Sequence, residues 1–468
     1  MRSPLLSLSA VLLALLLSQG IASANPTSNI DDDIRLLIQA HQLTGNAAHG
    51  VRVPSIQSPK AQLGMKLFFS RTLGGDGSTA CVSCHHPVLG GGDGLSLPIG
   101  VGSAKPEIIG PNRRMKNNSD ITVPRNAPTI FNVALWKQHM FHDGRVKKLD
   151  DYSIMTPDVP LNTADALGGE NLVQAQARFP ITSMEEMRGG FLGGEMNQTL
   201  RRSLTERLKK NWEKSFRVAF NDYHSDSNDL ITEQNMSEAI ADYERSQLFV
   251  NNPWRAYVEG DTQAISEQAK RGARLFFAPQ NKGGANCASC HSGDFFTNEQ
   301  FYNAAIPPIG KGKHKHDGDT DMDDQGCYLI TKKPHDKYRF RTPSLLNVEV
   351  TGPWGHNGAY TSLEAITKHM LNPQKAVKNY RKSQVKQAGI DFSKTRKNIK
   401  TLLKSKIDVS PMPRASQQDV KDLVAFMKTL TDPCVKSREC LSPWIPSARS
   451  NDPDGNMLHG FIKRGKRL

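Results

Sequence analysis

Apolar residues along this chain recur mostly at helical spacing. Gly64-Met65-Lys66-Leu67-Phe68-Phe69 and Gly272-Ala273-Arg274-Leu275-Phe276-Phe277 each predict a helix with one strongly apolar face. Segments 199–218 and 233–248 keep the same period with few breakers. Segment 416–430 predicts a closing amphipathic helix, with Val420, Leu423, Val424 and Met427 on one face and Pro433 beyond its end. Strand-like alternation is scarce, so the pattern predicts a mainly α chain with long loops. One apolar run differs. Leu5 to Leu17 lies behind Arg2 and ahead of Ala22-Ser23-Ala24, so residues 1–24 read as a cleaved secretory signal. That run is too short to span a bilayer, and no other segment is apolar enough to do so. The expected product is exported to the periplasm.

The pattern also repeats. Arg125-Asn126-Ala127-Pro128-Thr129-Ile130-Phe131-Asn132-Val133 is answered by Arg341-Thr342-Pro343-Ser344-Leu345-Leu346-Asn347-Val348. His142-Asp143-Gly144 is answered by His356-Asn357-Gly358. A repeat this long implies duplicated domains rather than a solenoid. The expected organisation is an N-terminal domain over 25–250, a C-terminal domain over 251–440, and a tail over 441–468. That tail is polar and rich in Pro and Gly, which reads either as disorder or as a clamp on a partner.

Each half carries one copy of a reactive motif: Cys81-Val82-Ser83-Cys84-His85 and Cys287-Ala288-Ser289-Cys290-His291. In C-x-x-C-H the two thiols add across the vinyl groups of a haem, and the adjacent histidine becomes an axial iron ligand. A zinc or redox-dithiol reading fails, because both copies end in His and no second Cys pair completes a zinc site. The chain therefore reads as holding two covalent c-type haems through Cys81, Cys84, Cys287 and Cys290, with His85 and His291 on the irons. Three of the seven cysteines remain. Cys434 and Cys440 are close enough to close a small disulfide loop, and whether Cys327 pairs with either stays open.

The formal net charge is +14, which suits steering of an acidic redox partner. An exported haem protein has no access to nucleic acid. The alternating aspartates Asp317, Asp319, Asp321 and Asp323 resemble a calcium loop, but the glycine of an EF-hand is missing after Asp321, so the stretch reads as a solvated loop.

The paired C-x-x-C-H, Pro124-Arg125-Asn126-Ala127-Pro128-Thr129, Phe141-His142-Asp143-Gly144-Arg145, and Gly352-Pro353-Trp354-Gly355-His356-Asn357-Gly358 are similar to the bacterial dihaem cytochrome c peroxidases and MauG enzymes. The resemblance runs from about Lys60 to Leu430. It implies two cytochrome c-like haem domains. It implies a first haem that reduces hydrogen peroxide and a second that accepts electrons from a small cytochrome c or cupredoxin. It also implies a homodimer, since members are commonly dimers. The sixth ligand of the second iron falls on Met370, with Met412 and His369 as competitors. Glu186 falls at the acid/base position and Gln176 at that of its hydrogen-bonding partner, with Glu185 as the alternative to Glu186. A calcium ion between the haems falls on Asn126, Thr351 and Pro353.

The chain departs from the family in places. Val101 stands where many members carry a histidine that blocks the first iron, which implies an iron already open in the oxidised protein. Met115, Lys105 and Lys116 in the following loop are the substitute ligands to weigh. His142 stands where the family bridges the haems with tryptophan, leaving His142, Trp136 or Trp354 on the electron path. An insertion separates Arg145 from Leu172. Two other functions compete with peroxide reduction: a MauG-like oxidase that modifies a partner protein by long-range radical transfer, and a dihaem electron carrier without catalysis.

Overall fold

Serine and proline set where the principal helices begin. In the computed structural model, which describes residues 29–313, 323–412, 414–463 and 466–468, Ser58 caps the helix Pro59–Phe69 through the amide of Ala61, with Pro59 in its first turn. Ser266 does the same for Glu267–Phe277 through Ala269. Ser416 and Asp419 form a reciprocal capping box on Gln417–Lys428. The signal segment and the aspartates 317, 319 and 321 lie outside the described residues. Strands are short: a three-stranded antiparallel sheet of His139–Met140, Val146–Lys148 and Ile154–Met155, and two antiparallel strand pairs, Phe301–Tyr302 with Phe340–Arg341 and Phe461–Lys463 with Lys466–Arg467. No helix among the described residues is long and apolar enough to cross a membrane.

Two principal apolar cores form. In the first, Leu63, Leu67 and Phe68 of Pro59–Phe69 pack against Met236, Ile240 and Tyr243 of the helix Glu233–Arg245. In the second, Ala269, Ala273 and Phe276 of Glu267–Phe277 pack against Val420, Leu423 and Phe426 of Gln417–Lys428. Both crossings depend on a glycine. A Cβ on Gly64 would stand 1.8 Å from the Ala239 carbonyl oxygen, and one on Gly272 would stand 1.9 Å from that of Asp422. Backbone cannot yield as a flexible side chain can. Gly64→Ala and Gly272→Ala are each expected to destabilise the protein by about 1–3 kcal/mol in guanidinium unfolding. Gly190→Ala, where a Cβ meets nothing within 4 Å, should be near neutral.

The repeat is visible in the contacts. Asn132 and Asn347, equivalent in the two motifs, both adopt positive φ. Both donate their side-chain amides to the same carbonyl, that of Phe249, at 3.0 Å each. The chain ends cross over between the cores. Ile34 of the helix Ile30–Ala40 is buried in the second core, and Lys270 forms an ion pair with Asp31 across that contact.

Three expectations change in detail. Segment 199–218 is two helices, Asn197–Lys209 and Glu213–Phe220. The break turns Trp212 fully into the first core, where its indole donates to Asp454 at 2.6 Å. On the closing helix, Phe426 is buried where Val424 is half-buried. The polar tail is folded onto the first core: Leu458 and Leu468 are buried there, the Leu458 amide bonds to the Phe69 carbonyl at 2.8 Å, and Asp454 also accepts from Thr72 and Asn211. Its few apolar residues, widely spaced, are enough to seat it. Cys434 and Cys440 are disulfide-bonded, and Cys327 is free and buried.

Candidate functional site

Each C-x-x-C-H opens with a tight turn, Cys81–Ser83 and Cys287–Ser289, and both face a single cavity of about 700 Å³ between the two cores. All four thiols line it and none is disulfide-bonded. Burial pushes Cys81 and Cys287 up to about 12, so both are protonated at neutral pH. The histidines are held alike. His85 Nδ1 lies 3.2 Å from the Gly91 carbonyl and His291 Nδ1 lies 3.1 Å from that of Phe296. A carbonyl can only accept, so Nδ1 carries the proton and Nε2 keeps the lone pair a metal needs. Burial lowers both rings below the usual histidine value, His291 to about 4, and keeps them neutral. Paired thiols, a neutral imidazole with a fixed tautomer, and an apolar void fit a covalent haem in each half.

On the first side, Glu186 lies on a single π-helical turn, Met184–Arg188. Glu186 and Gln176 both line the cavity, and Glu185 does not. Glu186 is close enough to Cys84 to raise that thiol further. Burial raises the Glu186 carboxyl above its ordinary value, against the opposing pull of Arg145 and Lys313. The turn is seated on the loop after the first motif. A Cβ on Gly100 would meet the Glu185 and Glu186 carbonyls at 2.2 and 2.4 Å, and the Val101 amide bonds to Glu185 at 3.2 Å. Buried Arg113 pins that loop by donating to the carbonyls of Ile99, Pro106 and Ile108 at 2.7–2.9 Å. Met115 packs against Leu95, Leu97, Ile99 and Ile121, and Lys105 and Lys116 are exposed. Neither these three nor Val101 line the cavity.

On the second side, Met370 and Met412 both line the cavity. His369 is fully buried, and both its nitrogens are engaged: Nδ1 with the Tyr360 hydroxyl and Nε2 with the Ala304 carbonyl, each at 2.8 Å. It has no lone pair left for a metal.

Between the two sides stands a buried charged cluster. Arg125 grips Asp324 bidentately at 2.7 and 2.8 Å and Asp143 at 2.6 Å. Arg145 reaches Asp143 at 3.0 Å and lies 3.4 Å over the Phe141 ring. Lys313, a third exposed, lies 3.7 Å from Asp143. Burial and neighbouring Arg145 lower its ammonium to about 8. His142 Nε2 meets the Asn126 carbonyl at 3.1 Å, and burial lowers its ring to about 4, so it is neutral. Trp136 carries the Arg341 guanidinium 3.3 Å over its face. A cation there opposes loss of an electron from the indole. Trp354 lines the cavity with its ring nitrogen donating to Val348.

Asn126, Thr351 and Pro353 share the cavity wall. The Asn126 amide nitrogen is committed to the carbonyls of Leu95 and Ser96. No group of three or more His, Cys, Asp or Glu suited to a metal occurs among the described residues, and Asn126, Thr351 and Pro353 themselves supply neutral oxygens.

Glu244 and Lys313 are among the cavity residues that the sequence reading missed. Glu244 is buried beside Cys81 and pushed up to about 8 by burial. Its signal was available: four residues after Ile240, it is a carboxyl on the apolar face of its helix. Lys313 had none, since it opens a polar loop.

Known proteins are similar to this chain. The family of di-haem cytochrome c peroxidases matches residues 58–263. The methylamine utilization protein MauG of Methylorubrum extorquens is 29% identical over 81% of this chain and 82% of that protein. The cytochrome c551 peroxidase of Pseudomonas aeruginosa is 27% identical over 69% of this chain and 75% of that protein. A solved MauG-like protein associated with microbial copper homeostasis shares the fold, with a TM-score of 0.56 and 20% identity over 84% of this chain and 97% of that one. With two C-x-x-C-H motifs facing one cavity, the chain is similar to the di-haem cytochrome c peroxidases and MauG proteins, and it is an oxidoreductase.

Proposed function

We propose that this protein is a periplasmic peroxidase that reduces hydrogen peroxide to water with electrons from a small redox protein. One observation carries the reading: Glu186 and Gln176 line the cavity that Cys81, Cys84 and His85 also line, with Glu186 close enough to Cys84 to raise its thiol. Bound haem would supply, at His85, an iron to which peroxide binds and, at His291, an iron that relays electrons. The residues do the rest. Glu186 takes the proton from the inner oxygen of peroxide and returns it to the outer one, which leaves as water. Gln176 offers both an N–H donor and a carbonyl acceptor to hold peroxide and that water. Two electrons and two further protons complete the reduction. The pinned 99–116 loop, with no ligand pointing at the cavity, supports a first iron open in the oxidised protein.

The duplicated helix crossings and the shared Phe249 carbonyl support two cytochrome c-like domains related by duplication. Asn126, Thr351 and Pro353 would hold calcium through neutral oxygens between the halves. Met370 is the sixth ligand proposed at the second iron. Met370→Leu should abolish the thioether-to-iron charge-transfer band of the ferric holoprotein, and Met412→Leu should leave it intact. The reverse pattern would move the ligand to Met412.

The test of function is steady-state turnover. Reduced small cytochrome c should be oxidised by peroxide with two equivalents consumed per peroxide. Donor left reduced while a peroxide-oxidised state persists would favour the oxidase reading instead.

A further inference from the structure

The positive charge of this chain is concentrated in one place. Between Lys375 and Lys406 stand eleven Lys and Arg residues against the single acid Asp391, within a chain whose net charge is +14. All eleven are exposed. Apart from Lys397, none is drawn into an ion pair among the described residues. Like charges at this density repel one another and are kept together only by the fold beneath them.

That fold is well anchored. The excursion leaves and returns at one point, where the Met412 amide bonds to the Leu371 carbonyl at 2.8 Å. Val377 and Leu402 are buried under it in a small core with Ala305 and Tyr338. Gln387 clamps the Leu97 backbone at both its amide and its carbonyl, at 3.0 and 2.7 Å. The two ends of the excursion, Met370 on one side and Ser410 and Met412 on the other, line the cavity on the His291 side. A fixed basic surface thus adjoins the wall through which electrons would enter.

We propose that the 375–406 excursion is the docking surface for an acidic one-electron donor protein, which it draws to the second haem. The inference rests on the peroxidase reading for the direction of electron flow and deepens it by giving the donor its charge. Complementary charge accelerates encounter more than it adds affinity, and salt removes the effect.

The test follows reduction of the ferric dihaem holoprotein in the absence of peroxide, so it does not depend on peroxide turnover. Two reduced cytochromes c, one acidic and one basic, serve as probes over a range of ionic strengths. The acidic one should react faster at low salt, with a rate that falls as salt rises. Lys378→Glu, Lys382→Glu and Lys400→Glu together should slow it by about 10-fold or more at low salt and have little effect at high salt. Arg202→Glu, Lys210→Glu and Lys214→Glu, an equal charge change on an exposed surface of the first half, should alter the rate by less than about twofold. Equal losses from both triple variants would overturn the proposal, because net charge alone would then do the steering. It is also overturned if the first triple variant keeps its rate but loses binding to phosphatidylglycerol vesicles, which would make the surface a membrane contact. If the patch effect holds and peroxide turnover is absent, the docking inference stands and the peroxidase reading fails.

Discussion

Glu186→Gln is expected to lower kcat/KM for peroxide by about 10²–10⁴-fold, the usual worth of a positioned acid/base. The amide keeps the size of the side chain and loses its proton chemistry. The ferric Soret spectrum and donor binding should be unchanged, since Glu186 is neither an iron ligand nor on the donor side. Its pH dependence is specific. Burial raises this carboxyl above the ordinary 4.5, and Arg145 and Lys313 hold it down in part. The carboxylate that accepts the first proton is therefore lost as pH falls through this raised value, and wild-type turnover should fall with it. In the glutamine variant that acid limb should vanish. Glu185→Gln should retain most activity, because its side chain does not face the cavity.

Arg125→Met is expected to destabilise the holoprotein by about 3–5 kcal/mol in guanidinium unfolding, the cost of leaving buried charge without a partner. Asp143 is fully buried, and Asp324 and Arg125 are each 7% exposed. In the wild type both carboxyls are held below the ordinary 3.8, opposed by burial and driven down by Arg125. Lowered folded values stabilise above the unfolded value, and that stability is lost as pH falls through about 4 and below. Without Arg125 the same burial favours the protonated form of Asp324, while Asp143 keeps Arg145 and Lys313. The stability gap between variant and wild type should therefore narrow from pH 7 toward pH 4. Adding Asp324→Asn to Arg125→Met should recover part of the loss, since one orphaned charge is gone. Equal destabilisation at both pH values, with no recovery, would mean that Arg125 acts by packing alone.

The sequence was legible where chemistry or period is local. C-x-x-C-H is a five-residue covalent device, and the G-x-x-L-F-F helices announce themselves by their spacing. Gln176 and Glu186 became candidates only through family resemblance, because nothing local tells a cavity carboxyl from a solvated one. What stayed hidden depends on distant partners. Arg125 meets Asp324 across 199 positions, and Trp212 meets Asp454 across 242. The same contact sits at the break in the helix expected over 199–218 and seats a tail whose composition suggests disorder. The N-terminal helix Ile30–Ala40 precedes the first motif in sequence yet packs into the second core, a crossing that no pattern along the chain reveals.

Peroxide should react at a first iron that is already open. The direct measurement mixes hydrogen peroxide with the fully ferric dihaem holoprotein in a stopped-flow spectrometer, then adds reduced small cytochrome c. A rapid Soret change is expected before any donor is present, followed by its reversal with two equivalents of donor consumed. No spectral change until the second haem is reduced would contradict it, and would mean that a ligand closes the first iron despite Val101.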